Sequence, residues 1–140
     1  MRARRTSTFL RYASRMSELQ DVLRILTAAA FLAAAGVKFL LPPARLARVG
    51  MAVVAALPRP TILLVGSLEL LGALGLLAPL LLGFPDALAR LAAAGLALLM
   101  VGASWMQVTH RRSLGAAIAV VMLTLTATLA VTPDIPVGPL

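Results

Sequence analysis

No cysteine occurs in the 140 residues, which removes disulfide exchange, thiolate nucleophiles and iron–sulfur or thiolate–zinc ligation from what this chain does by itself. Any redox role then runs through a bound cofactor or a partner. Acids are scarce as well. Five Asp and Glu and a single His fall short of ligand sets that need three or four such groups together, so no metal site is expected. Aromatic residues make up only 4%, against the aromatic girdles of a membrane β-barrel.

What remains is hydrocarbon. Hydrophobic residues are 61% of the chain and the mean hydropathy is +0.97, too little polar surface to coat a water-soluble globule of this size. Leu, Ala, Val and Gly dominate, the mixture of closely packed membrane helices. The expected fold class is all-α: a polytopic four-transmembrane-helix antiparallel bundle, since crossings of about 20 residues plus short loops nearly exhaust the chain. Thirteen Lys and Arg against five acids give a net charge of +8. In a soluble protein that excess would suggest nucleic acid. Here the cations gather in the amino tail and beside apolar runs, so membrane lipids with anionic head groups are the expected partner and nucleic acid is not.

Residues 1–16 form a basic arm carrying Arg2, Arg4, Arg5, Arg11 and Arg15, placed on a membrane surface or an acidic partner. Ser17 with Gln20 reads as a capping box, with Glu18 and Asp21 in the positive first turn, so a first helix is expected over about 18–41, ending at Pro42-Pro43. Residues 44–57 carry Arg45 and Arg48 on an apolar segment too short to span, an interfacial or re-entrant element before Pro58-Arg59-Pro60. A second span is expected over about 61–82, with Pro79 as a kink or an end. Gly83-Phe84-Pro85 turns into a third over 87–110 capped by Asp86, and Arg111-Arg112-Ser113 into a fourth over 114–132. A Pro-rich tail occupies 133–140. Pairs such as Ala29/Ala33, Ala30/Ala34, Ala93/Ala97 and Gly115/Ala119 suit close helix packing. The distribution of arginines leans toward both termini on the cytoplasmic side.

Glu69 is the sharpest feature. An ionisable side chain at the centre of a membrane helix costs about 2.5 to 3.5 kcal/mol on insertion scales, and a glutamate is too short to reach water easily. It lies eight residues past Thr61, about 12 Å into the bilayer. Gly66, Gly72 and Ala73 share its face, leaving room for another helix or a ligand. Lys38, near the end of the first span, has the reach to meet it. His110 closes the third span on the same side and shares a face with Gln107, Met106 and Ala103, while Trp105 points elsewhere. The bland reading makes Glu69 and Lys38 a structural ion pair and His110 a head-group contact; the sharper one joins Lys38, Glu69, His110 and Gln107 in one polar pocket that binds a ligand or handles protons.

At these residues the chain resembles the DoxX-like family of small four-helix bacterial membrane proteins. The likeness spans about residues 22–132 and rests on Gly36-Val37-Lys38, on Gly66-Ser67-Leu68-Glu69 followed by Gly72 and Gly75, and on Gly102-Ala103 with His110. It implies a multi-pass protein of the bacterial inner membrane, with relatives tied to quinone-linked oxidation or to membrane oxidoreductase assemblies. Three roles follow as expectations. The leading one is a non-catalytic accessory subunit of a larger membrane redox complex, with other membrane subunits as partners. The second is a subunit binding a quinone or another lipophilic small molecule through Lys38, Glu69 and His110. The third is proton-coupled transport, thinly supported without repeats or broken helices. No intrinsic cofactor is expected; a quinone or lipid is the candidate ligand.

Overall fold

The computed structural model describes the backbone of residues 2–109 and 113–131 and the side chains of residues 15–109 and 117–131. All regular structure among the described residues is helical: α1 (Arg2–Leu40), α2 (Pro43–Arg48), α3 (Ala52–Ala55), α4 (Arg59–Leu82), α5 (Asp86–Thr109) and α6 (Ser113–Val131). Three stretches, Arg15–Leu40, Arg59–Leu82 and Asp86–Thr109, are long and apolar enough to cross a bilayer. The fourth long element, α6, has 19 residues, about 28 Å at helical rise.

Most boundaries follow local chemistry. Leu40 ends α1 because Pro42 and Pro43 cannot continue it, and Pro43 serves as the first residue of α2, where its missing N–H costs nothing. Pro60 does the same near the start of α4. Gly83, at φ +69, takes the left-handed conformation that ends α4. Pro79 neither ends nor precedes the end of α4 by much: it sits in the last turns, and the helix runs on to Leu82.

Three expectations are corrected. The capping box at Ser17 does not start a helix, because α1 is already helical from Arg2. No Gly or Pro interrupts residues 2–35, and a cap acts only where the preceding chain leaves the helix. The single element expected over 44–57 is two short helices, divided at Gly50, whose φ of +88 no helix accommodates. Asp86 is the first residue of α5 rather than its cap. His110, Arg111, Arg112 and the Pro-rich tail lie outside the described residues.

The long helices pack in sequence, α1 on α4, α4 on α5 and α5 on α6, and α6 returns to α1. Phe31, Ala73, Leu76, Ala93, Leu96 and Leu129 form the shared core. Close approach of α4 and α5 depends on glycine: a Cβ at Gly75 would lie 2.7 Å from Ala92 Cβ, and one at Gly72 would lie 2.5 Å from the Leu96 side chain. The exposed positions of α4 and α5 are apolar apart from Thr109 at the end of α5, with Leu71, Leu98 and Trp105 largely exposed. Such a surface is stable against lipid and not against water.

Candidate functional site

α4 buries Ile62, Gly66, Glu69, Ala73 and Leu76. Their spacing of four, three, four and three keeps them on one face, so Glu69 is carried inward with the core stripe. On α1 the buried stripe passes through Arg24, Thr27, Ala28, Phe31 and Ala35 to Lys38. The two faces meet at Gly66, where a Cβ would lie 3.4 Å from Lys38 Cβ, an ordinary van der Waals distance. One turn further along α4, Lys38 Nζ donates to both oxygens of Glu69, at 2.8 Å and 2.6 Å. Both side chains are about 95% buried, at 5% and 4% exposure. Each charge is thereby the other's solvent, the arrangement that permits either to exist at this depth.

The end of α1 is held from the first residue of α4. Arg59 donates to the carbonyls of Lys38 (3.0 Å), Leu41 (2.9 Å) and Phe39 (3.0 Å). These include the acceptors that a helix end leaves without internal donors, and a cation is favoured there by the helix dipole. Lys38 is therefore fixed at its backbone by Arg59 and at its ammonium by Glu69.

The ion pair forms part of the wall of a cavity of about 640 Å³. Phe31 and Lys38 of α1, Glu69 of α4, Gln107 of α5 and Met122 of α6 line it, together with Val49, Gly50 and Met51 of the α2–α3 connection. The remaining wall is almost entirely hydrocarbon and thioether. Gln107 contributes a second polar point: its Oε1 is buried and finds no hydrogen-bond partner among the described residues. Ser67, Ser104 and Thr126 keep their hydroxyls within their own helices, donating to Leu63 O, Met100 O and Met122 O.

Of the expected pocket residues, Lys38, Glu69 and Gln107 share this cavity; His110 lies outside the described residues. Trp105 faces outward. Of the basic arm, Arg15 is exposed, while the side chains of Arg2, Arg4, Arg5 and Arg11 lie outside the described set. A second, half-buried pair is one that the sequence analysis does not single out: Arg24 Nη1 donates to Asp86 Oδ1 at 2.7 Å, with Arg24 5% and Asp86 45% exposed. Arg24 stands 14 residues before Lys38, about 21 Å along α1, so this pair belongs to the opposite end of the bundle. The signal was an arginine inside the first apolar run, on the same helical face as Lys38.

Apolar helices of bilayer length, a lipid-compatible exterior and charges paired in the interior define a multi-pass membrane protein. The chain belongs to the DoxX-like family, whose model matches residues 22–129. Comparison with curated proteins and with solved structures returns no match.

Proposed function

We propose that this protein is a four-span antiparallel bundle of the bacterial inner membrane, with both termini cytoplasmic, that holds a lipophilic small molecule of quinone type between its helices. The carrying observation is the cavity: about 640 Å³, within the range of roughly 300–1,000 Å³ used for small-molecule sites, apolar except where Lys38, Glu69 and Gln107 meet it. A quinone ring with a hydrocarbon tail suits an apolar chamber with a few polar groups in its wall. Lys38 suits the head, because an ammonium has three N–H donors and two contacts are made to Glu69. A quinone, when bound, supplies carbonyl–hydroxyl redox chemistry. The chain's own residues position the head and exclude water; none is assigned a catalytic step.

A second reading, an accessory subunit of a membrane redox complex, draws support from α1. Its 39 residues extend about 20 Å beyond the stretch Arg15–Leu40, and that extension carries four arginines suited to an acidic partner or anionic lipid. Gentle detergent extraction followed by native mass spectrometry separates the two. One small molecule retained per chain supports the ligand reading. A chain that is empty yet bound to other membrane proteins supports the subunit reading and removes the first.

A further inference from the structure

We infer that the cavity selects a lipophilic molecule whose polar head carries a hydroxyl donor, a phenol, quinol or alcohol, over its carbonyl or ether counterpart, and that Gln107 reads the difference. This rests on the reading that the cavity holds a small molecule.

Among the described residues three polar side chains meet the cavity, and Lys38 keeps one N–H beyond its two contacts to Glu69, a donor that serves a hydroxyl, carbonyl or ether oxygen alike. Lys38 and Glu69 are joined at 2.8 Å and 2.6 Å. Gln107 Oε1 is the acceptor left over, buried and without a partner among the described residues. The other side chains of α5 and α6 that line the cavity, Leu99, Met100, Ala103, Ile118, Ala119 and Met122, carry no N–H or O–H donor. Water can serve an empty chamber, but an apolar occupant displaces it and must then replace its hydrogen bond. A hydroxyl does so. A carbonyl or ether oxygen does not: it leaves the amide oxygen orphaned and sets two acceptors against each other. The same logic makes sites built to hydrogen-bond a substrate hydroxyl discriminate strongly against analogues lacking it. An amide rotated by half a turn would present Nε2 instead and favour acceptors, so the sign of the preference is itself the test.

The probes are 4-decylphenol and 4-decylanisole, which share ring and tail and differ by one methyl group on the oxygen. Binding of each is measured by scintillation proximity on the full-length protein in nanodiscs of zwitterionic lipid, corrected with empty nanodiscs. The phenol is expected to bind about tenfold more tightly. In Gln107→Leu the phenol should fall to the level of the anisole while the anisole changes by less than about twofold; Gln107→Met repeats the test with an unbranched side chain should the leucine variant fail to insert. Equal affinity in the native protein, a preference for the anisole, a preference surviving both substitutions, or an equal loss of both probes overturns the inference and leaves the cavity reading in place. Binding of neither probe above empty nanodiscs removes the cavity reading as well.

Discussion

Lys38 and Glu69 sit where neither charge has an inexpensive route to water, so each depends on the other. Removing one partner of such a pair leaves an uncompensated buried charge, typically at a cost of about 3–5 kcal/mol. Glu69→Gln keeps the shape and removes the anion, and should lower unfolding stability in detergent by about that amount. Lys38→Met added to it should recover most of the loss, because no charge is then buried. Losses in the double variant equal to the sum of the singles would show that the two residues act separately. At this scale the sequence is informative where charge interrupts an apolar run: Lys38 and Glu69 stand out for that reason, and Gln107 through the helix face it shares with His110. Arg24 carried the same signal in the same run and was overlooked. The role of Arg59 was not legible, because donation to the carbonyls of Lys38, Phe39 and Leu41 depends on two helix ends meeting in space.

Between elements, the contact of α4 with α5 is set by Gly75 against Ala92. Alanine at 75 would place two Cβ atoms 2.7 Å apart, and neither can rotate away, so the helices must separate. Gly75→Ala should destabilise by about 1–3 kcal/mol, and Ala92→Gly in the same chain should restore much of it; thermal unfolding of the two single variants and the double checks this. A double variant no more stable than Gly75→Ala would place the strain elsewhere. Proline and glycine made the ends of α1 and α4 readable, because each acts through its own backbone. Two boundaries misled for the opposite reason. The capping box at Ser17 is a local preference with no break in the chain to act on, and its neighbours Arg15, Met16, Glu18 and Leu19, all good helix formers, carry α1 through it. The break at Gly50 was not visible within 44–57, since nothing about that glycine in sequence distinguishes a left-handed turn from a packing position.

For the molecule as a whole, the number of apolar helices and the inward face of the polar groups follow from composition and periodicity, while the cavity does not. Its wall is drawn from α1, α4, α5, α6 and the α2–α3 connection, and no one of these shows in sequence that the others leave space beside it. The claim that this space holds a lipophilic molecule is tested most directly by photolabelling in liposomes with 4-decylphenol carrying a diazirine in mid-tail, followed by peptide mapping. The account predicts label on cavity residues such as Ala34, Val54, Ala103 and Met122, suppressed by excess unlabelled 4-decylphenol and lost when Ala103→Trp fills the chamber. Label confined to outward residues such as Leu71 and Leu98, unaffected by competitor or by Ala103→Trp, would contradict it.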